Sequence, residues 1–210
     1  MTRWPPVLMY HAVARVSDDP NNVCVSPERF EAQMLHLKRR GLRGVSMNEL
    51  TRAVHRGNAG GLVGLTFDDG YENFLRSALP VLEKFGFTAT VFVIGGMLGG
   101  ENSWDEGPRM RLLDARGVRE AAARGAEIGM HGTHHVRLSG LDDPVSLREE
   151  VEAGRRILGE VLGRPVEGFC YPYGDLSSQV VRAVREVGYA YACAYKTELR
   201  HGAYSIPRIY

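Results

Sequence analysis

The sequence predicts an α/β protein, in which a largely parallel sheet forms a distorted, incomplete (β/α) barrel. Apolar runs of strand length alternate with helix-like segments, with no linker and no internal repeat, and this alternation is typical of parallel sheets. The chain has 210 residues and a hydrophobic content of 44%, which suffices for one substantial core. A complete eight-fold barrel usually needs about 250 residues. We therefore expect fewer strands or a partly open barrel, in a single domain spanning residues 1–210.

Start and stop signals predict the helices between the strands. Ser26 followed by Pro27 indicates an N-cap with proline at the first helical position, and Gly41 ends that helix. Ser46 and Glu49 form the pattern of a capping box for the next helix. The other predicted helices and strands follow in alternation, with helices at 71–85, 108–123, 145–162 and 177–187 and strands at 62–65, 89–94, 127–129, 165–168 and 189–194.

Two adjacent carboxylates follow the apolar run 62–65, within the segment TFDDG. Asp68 and Asp69 are thus predicted to lie where a buried strand ends. Ligands of α/β proteins bind at the carboxyl ends of the strands, so paired acids there indicate a metal site or acid–base chemistry. The alternative is an ordinary turn, because Asp and Gly dominate turns, and the pentapeptide alone leaves both interpretations open.

Three of the seven histidines lie in the segment MHGTHH. Zinc and similar cations favour imidazole and carboxylate ligands, and a catalytic site typically has three protein ligands. His131 and His135 are four residues apart and can converge on one ion, while Gly132 between them favours a turn over a regular helix. His134 is an additional imidazole. Exposed loop histidines without a metal are the alternative.

A third segment, FCYPYGD, follows the predicted strand 165–168 and combines aromatic rings with a proline. The order TFDDG, EIGMHGTHH and FCYPYGD resembles the polysaccharide deacetylase family (carbohydrate esterase family 4), whose members remove acetyl groups from N- or O-acetylated sugars. The resemblance implies the seven-stranded form of the barrel.

Further segments place the resemblance within that family. The opening PVLMYHAV and the segments NSWD (102–105) and IPRI (206–209) are similar to the branch that includes the biofilm poly-N-acetylglucosamine deacetylases. The resemblance implies an acetylated sugar or glycan as substrate, and one divalent metal ion as cofactor. Zinc is the preferred ion, with cobalt, nickel and manganese as alternatives.

The resemblance also implies roles for individual residues. Asp68 maps onto the general base, and Asp69, His131 and His135 map onto the metal ligands. The ion would activate water and polarise the acetyl carbonyl while Asp68 accepts a proton. The backbone N–H of Tyr173 would stabilise the oxyanion that forms.

Two positions depart from the family pattern. Gly132 follows the first metal-ligating histidine, where the family has serine or threonine. Cys170 stands where the family often has an arginine that orients the base. The orientation of Asp68 is therefore unexplained at the level of the sequence.

The C-terminal motif that commonly supplies a histidine acid in the family is not evident in this sequence. We expect His11, at the end of the first predicted strand, to take this role. It is preferred to His201, whose neighbours Arg200 and Gly202 indicate an exposed loop.

Four residues are expected to contact substrate. Tyr171, Pro172 and Arg208 belong to segments that carry the resemblance, and Trp104 lies in the glycine-rich region 95–107. Aromatic faces in loops bind sugar rings, but they also pack locally. A locally packed indole is therefore the alternative for Trp104.

Composition excludes some classes of function. The net charge is +1, which gives no electrostatic case for binding nucleic acid or an anionic membrane. The three cysteines define neither a disulfide framework nor a zinc knuckle. The N-terminal segment has too few basic and apolar residues for a signal peptide or a transmembrane segment. We therefore expect a cytoplasmic protein, with a processed extracellular form as the alternative; the oligomeric state stays open.

Three functional hypotheses follow. The first is metal-dependent deacetylation of an N-acetylated, or less favourably an O-acetylated, sugar. The second is a sugar-binding protein that keeps the deacetylase fold without turnover, motivated by the missing arginine and the missing acid. The third is a purely structural metal site, which a fourth ligand such as His134 would favour.

Overall fold

The computed structural model describes residues 4–195 and 201–210. The strands in chain order are β1 (Val7–Tyr10), β2 (Ala12–Val13), β3 (Cys24–Val25), β4 (Arg43–Val45), β5 (Leu62–Phe67), β6 (Thr90–Val93), β7 (Glu127–Met130), β8 (Gly168–Cys170), β9 (Tyr191–Tyr195) and β10 (Ile206–Arg208). The α-helices are α1 (Pro27–Arg39), α2 (Met47–His55), α3 (Leu79–Phe85), α4 (Ala115–Ala123), α5 (Pro144–Leu162) and α6 (Ser178–Val187).

Seven parallel strands form a curved sheet in the order β1-β5-β6-β7-β8-β9-β10. A parallel bridge between Leu8 and Ile209 brings the last strand beside the first. There the N–H of Met9 donates to the carbonyl of Ile209 over 2.8 Å, and the N–H of Ile209 donates to the carbonyl of Val7 over 2.7 Å. β4 pairs with the first half of β5, and β2 and β3 form a separate pair. The distorted, incomplete (β/α) barrel with seven strands in its path is thus confirmed.

The helix ends follow the capping signals of the sequence. Ser26 Oγ accepts a hydrogen bond from the N–H of Arg29, with Pro27 at the first helical position of α1. Ser46 Oγ likewise accepts from the N–H of Glu49 at the start of α2. In a full capping box the side chain of Glu49 would accept from the N–H of Ser46. Here that N–H donates instead to the hydroxyl of Thr88, just before β6.

The helix predicted at 108–123 was wrong in its first half. Helix α4 begins only at Ala115, after Asp114, whose side chain accepts from the N–H of Gly117. The preceding residues form isolated bridges instead, Leu112 with Tyr71 and Arg111 with Glu101, and the N–H of Leu113 donates to the carbonyl of Gly70 over 2.8 Å. A tertiary contact at the end of β5 therefore prevails over local helix propensity.

Two other boundaries also shifted. The helix predicted at 71–85 begins with a π-helical turn, Phe74–Ala78, before α3. The strand predicted at 165–168 is β8, which begins at Gly168. Among the described residues, none of the helices combines the length and the apolar character needed to span a membrane.

The core lies between the sheet and the surrounding helices and includes the fully buried rings of Phe67, Phe74 and Phe169. Because β5, β7 and β8 belong to one parallel sheet, their carboxyl ends open on the same side of the barrel. The segments TFDDG, MHGTHH and FCYPYGD follow these three ends, so the fold brings together the motifs that the sequence separates.

Candidate metal-binding and catalytic site

Asp69, His131 and His135 converge at the carboxyl end of the barrel. Asp69 Oδ1 lies 3.3 Å from Nε2 of His131 and 3.3 Å from Nε2 of His135. The two imidazole rings are 5.1 Å apart between centroids, and all three residues are buried. The structure therefore brings together the three residues to which the family resemblance assigned metal binding.

The backbone at this site is strained. Four non-glycine residues of the described chain have φ in the left-handed region, and three of them are Asp69 (70°), His135 (58°) and Tyr173 (58°). A left-handed residue other than glycine costs on the order of 1–3 kcal/mol and persists only where its surroundings fix it. Such residues cluster at functional sites, and here they lie at the two ligand turns and at the turn after β8.

The chemistry of the three side chains fits a divalent cation. Within the described residues, Asp69 Oδ1 is buried and has no hydrogen-bond partner, although buried carboxylate oxygens are normally satisfied. His131 Nδ1 lies 2.9 Å from the carbonyl oxygen of Cys170. This contact leaves Nε2 of His131 free to face an ion, which is the usual arrangement of a metal-ligating histidine.

Proton affinities at the site reflect its concentrated negative charge. Burial opposes ionisation, but contacts with His131 and His135 hold the pKa of Asp69 well below its ordinary value. Burial would lower the pKa of His131, yet the nearby carboxylates of Asp69 and Asp68 raise it. The site therefore attracts positive charge, which either protons or a metal ion can supply, and the two compete.

A second group of potential ligands, Asp68, His131 and Cys170, also lies within 4.8 Å. Both carboxylate oxygens of Asp68 are bonded to the guanidinium of Arg208, and Cys170 Sγ is 3.0 Å from Nη2 of that arginine. Burial raises the pKa of the Cys170 thiol well above its ordinary value. A cation there would face a fixed positive charge and a protonated thiol, so this group is the poorer metal site.

Arg208 orients Asp68. Its Nη1 lies 2.6 Å from Asp68 Oδ1 and its Nη2 lies 2.7 Å from Oδ2, and both side chains are buried. Burial raises the pKa of Asp68, but Arg208 outweighs that effect and holds the pKa below its ordinary value. The missing arginine at Cys170 is therefore replaced by one from β10, which corrects our expectation that the orientation of Asp68 lacks a cause.

Arg208 was expected to contact substrate. It borders the cavity, but its guanidinium is engaged with Asp68 and with Thr66 Oγ1, which lies 3.1 Å from Nη1. Its direct contact with substrate stays a prediction. The contact between Arg208 and Asp68 could not be predicted from the sequence, because 140 residues separate the two positions.

Of the two histidines considered as proton donors, His11 lies at the site. Its Nε2 is 4.0 Å from Asp68 Oδ2, and the side chain is 17% exposed on the cavity wall. His201 is partly buried and donates its backbone N–H to Ser205 Oγ over 2.7 Å. Arg200, on which the interpretation of an exposed loop partly depended, lies outside the described residues.

A cavity of about 410 Å³ opens above the ligand set. The rings of Trp104 and Tyr173 both contact the ring of His135, with centroid distances of 4.5 and 4.6 Å. Arg137 lies over the ring of Tyr173, 4.4 Å from its centroid. Two aromatic side chains thus border the cavity, but Trp104 also packs against buried apolar residues, so its contact with a sugar ring stays a prediction.

The other two predicted substrate contacts are less accessible. Tyr171 borders the cavity, but it is buried and its hydroxyl donates to the carbonyl of Tyr204 over 2.9 Å. Pro172 is buried and lies against the turn that carries the histidines. A Cβ added at Gly132 would lie only 3.1 Å from Pro172 Cγ. Pro172 therefore shapes the loop, and contact of either residue with substrate stays a prediction.

Two residues of the site region were missed by the sequence analysis. Tyr71 is buried beside Asp69, and burial together with that carboxylate raises its pKa. Its position directly after TFDDG is a signal that could have found it. Glu150 of α5 binds the turn between the histidines, and no local pattern in α5 indicates this contact.

A sequence profile described as polysaccharide deacetylase matches residues 55–192. The chain belongs to the polysaccharide deacetylase family. This deacetylase-family chain is 27% identical to YxkH of Bacillus subtilis over 186 residues, which cover 88% of this chain and 62% of YxkH. It is 22% identical to the poly-beta-1,6-N-acetyl-D-glucosamine N-deacetylase of Staphylococcus aureus over 205 residues, covering 92% of this chain and 69% of that protein. The chain thus spans about six to seven tenths of these relatives.

Solved structures agree with this membership. The Streptococcus pyogenes deacetylase PplD, in complex with acetate, superposes with a TM-score of 0.85 at 25% identity, covering all of this deacetylase-family chain and 92% of PplD. IcaB from Ammonifex degensii superposes with a TM-score of 0.79 at 27% identity, covering 90% of this chain and 82% of IcaB. The predicted resemblance to the family and to its biofilm-deacetylase branch is confirmed.

Gly132→Ser would restore the usual family residue, yet we expect it to destabilise the protein. Gly132 has φ of 74°, and a Cβ there would lie 3.1 Å from Pro172 Cγ. The loss should be on the order of 1–3 kcal/mol in the free energy of unfolding, measured with urea. Gly140→Ser is the matched control, because nothing lies within 4 Å of the added Cβ. Equal stability of the two variants would contradict this explanation.

Arg208→Met should leave the buried carboxylate of Asp68 without its counter-charge and cost about 3–5 kcal/mol at neutral pH. The pKa of Asp68 in the folded protein lies below its ordinary value. The ion pair therefore stabilises the folded state when the pH is above the ordinary pKa of aspartate, and this stabilisation is lost as the pH falls through the folded-state pKa. The stability difference between wild type and variant should therefore shrink in acid. Urea unfolding at several pH values tests this, with the exposed Arg148→Met as control; a difference that does not vary with pH would contradict it.

Proposed function

We propose that this chain is a metal-dependent carbohydrate deacetylase that hydrolyses the N-acetyl group of an amino sugar or glycan and releases acetate. The observation that carries the proposal is the buried set Asp69, His131 and His135 beside Asp68, which Arg208 holds at the floor of an open cavity. O-acetylated sugars are the less favoured substrates. Family membership supports the proposal, as do a relative named as an N-deacetylase and a structural neighbour solved with acetate.

The proposed chemistry assigns proton acceptance to Asp68. A divalent ion held by Asp69, His131 and His135 would supply Lewis acidity that activates water and polarises the acetyl carbonyl. Asp68 is ionised at neutral pH, since its pKa lies below the ordinary value, and it can accept the proton of the attacking water. Arg208 holds the carboxylate in one orientation, so that reorganisation before proton transfer is small.

The negative charge on the tetrahedral intermediate and the departing amine each need a hydrogen-bond or proton donor. The backbone N–H of Tyr173, in a left-handed turn three residues after the end of β8, is the proposed donor to the oxyanion of the tetrahedral intermediate. His11, 4.0 Å from Asp68, is the proposed acid that protonates the amine as acetate leaves. Trp104 and Tyr173 offer aromatic surfaces on which a sugar ring can stack.

The two other hypotheses receive less support. The non-catalytic sugar-binding protein depended partly on a missing arginine, and Arg208 supplies that charge. The structural metal site depended on His134 as a fourth ligand. His134 Nδ1 instead lies 2.5 Å from Glu150 Oε1, and the side chain is 63% exposed. Cytoplasmic location and zinc as the ion stay proposals.

Acetate release tests the proposed activity. Acetylated glucosamine oligomers with β-1,6 and β-1,4 linkages are incubated with protein loaded with zinc, cobalt, nickel or manganese, and with protein stripped by a chelator. We expect acetate from at least one linkage, its loss on stripping, and its recovery on metal addition. Release that persists after verified removal of metal would contradict metal dependence. Binding of the oligomers without release by any loaded form would favour the sugar-binding hypothesis.

Removal of each proposed ligand should abolish stable metal binding. Asp69→Ala, His131→Ala and His135→Ala each delete one of three side chains that converge on one point, so metal occupancy should fall in each. His134→Ala is the matched control from the same turn and should lower occupancy far less. Elemental analysis after gel filtration gives the occupancies. Equal losses for the His134 and His135 variants would contradict the ligand assignment.

Asp68→Asn should separate the base from the ligand. The amide cannot accept the water proton, while Asp69 and both histidines remain, so the variant should keep its metal and lose about 10²–10⁴-fold in turnover. Asp69→Asn should lose both metal and turnover. A folded, metal-loaded Asp68→Asn protein that releases acetate at nearly the wild-type rate would show that another group takes the proton.

A further inference from the structure

We propose that Glu150 is a positioning residue that fixes the turn carrying His131 and His135 and thereby sets the metal affinity of the site. Glu150 would hold this turn in place, where Gly132 stands instead of the serine or threonine of the family motif. This inference rests on the proposed function, since it concerns the same metal site.

The carboxylate of Glu150 binds the segment between the two ligands at three points. Oε2 accepts from the backbone N–H of Thr133 over 3.1 Å and from that of His134 over 3.0 Å. Oε1 lies 2.5 Å from Nδ1 of His134. Glu150 is buried on the inner face of α5, so a rigid helix of 19 residues holds the acceptor in place.

The same turn is also held through the side chain of Thr133 and the backbone of Gly132. Thr133 Oγ1 donates to the carbonyl of Glu150 over 2.8 Å and accepts from the N–H of Gly154 over 3.0 Å. After β6, the N–H of Gly95 donates to the carbonyl of Gly132 over 3.1 Å. The turn therefore lies between α5 and the end of β6, and the Glu150 carboxylate is the charged acceptor among these contacts.

These contacts have a consequence for the ligands because the turn is strained. His135 has φ of 58°, which is unfavourable for a residue with a side chain, so the surroundings must impose this conformation. The N–H of Thr133 would keep the backbone carbonyl of Glu150, 3.0 Å away, but loss of the carboxylate would leave the partly buried N–H of His134 without its acceptor. An unpaired buried group costs about 1–3 kcal/mol. A relaxed turn satisfies this N–H elsewhere and moves His135 away from Asp69 and His131. The affinity of the site for the metal ion should then fall, even in a variant whose helix α5 is intact.

The test measures zinc affinity by competition with a chromogenic chelator, in the absence of substrate, for wild type, Glu150→Ala and Glu150→Gln. Glu150→Ala should weaken zinc binding about 10-fold or more, the size typical of residues that support metal ligands. Glu150→Gln should stay within a few-fold of wild type, because the amide oxygen still accepts from both N–H groups. Glu152→Ala is the matched control on α5, where Glu152 is exposed and pairs with Arg148, and it should leave the affinity unchanged.

Activity separates positioning from a general loss of structure. With zinc in excess, Glu150→Ala should recover most of its kcat with an unchanged KM, since the ligands themselves remain. If Glu150→Ala does not fold, Glu150→Asp takes its place, because it keeps the charge and withdraws the carboxylate by one methylene. It too should bind zinc more weakly.

Three results would overturn the inference. They are wild-type affinity in the folded Glu150→Ala or Glu150→Asp protein, a loss in Glu150→Gln as large as that in Glu150→Ala, and a kcat that excess zinc does not restore. Failure of the proposed function looks different. In that case the wild-type protein binds no zinc, or binds it equally well after Asp69→Ala.

Discussion

The closure of the barrel between β1 and β10 is the constraint on which the site depends. That contact brings Arg208 of the last strand against Asp68 at the end of β5, where both side chains are buried. A buried carboxylate without a counter-charge is strongly unfavourable. The position of the proposed base is therefore coupled to the register of the last strand, and a slip of β10 by one residue would turn Arg208 to the other face of the sheet.

The two adjacent carboxylates need separate positive partners. Asp68 is neutralised by a guanidinium, whereas Asp69, left-handed at φ of 70°, turns towards two imidazoles. Without this turn the two side chains of neighbouring residues would not both meet their partners at one strand end. The permanent charge of Arg208 leaves Asp68 unavailable as a metal ligand, while the orphaned oxygen of Asp69 remains available. The backbone strain at Asp69 thus separates the proposed roles of base and ligand.

Local signals predicted the parts of the structure that depend on a few neighbouring residues. The caps at Ser26 and Ser46 and the strand before TFDDG followed from such signals, and the motif order placed three segments at one end of the barrel. The helix predicted at 108–123 failed because its first half is fixed by contact with the end of β5. The role of Arg208 was missed for a similar reason, since its contact with Asp68 spans 140 residues and exists only once the barrel closes. Glu150 lies only 16 residues from His134, yet its side chain has no feature that distinguishes it from the exposed acids of α5.

Both departures from the family motifs are compensated in space. Cys170 lacks the charge that would orient the base, and Arg208 supplies it from β10. Gly132 lacks a side chain that could brace the turn, and its left-handed φ and the 3.1 Å approach of Pro172 Cγ to an added Cβ both disfavour one, while Glu150 binds the turn from α5. In each case the group comes from a regular strand or helix, whose backbone is more rigid than a loop. A missing motif residue in this fold is therefore weak grounds for inferring lost activity until the neighbouring elements have been searched for a group that reaches the same atoms.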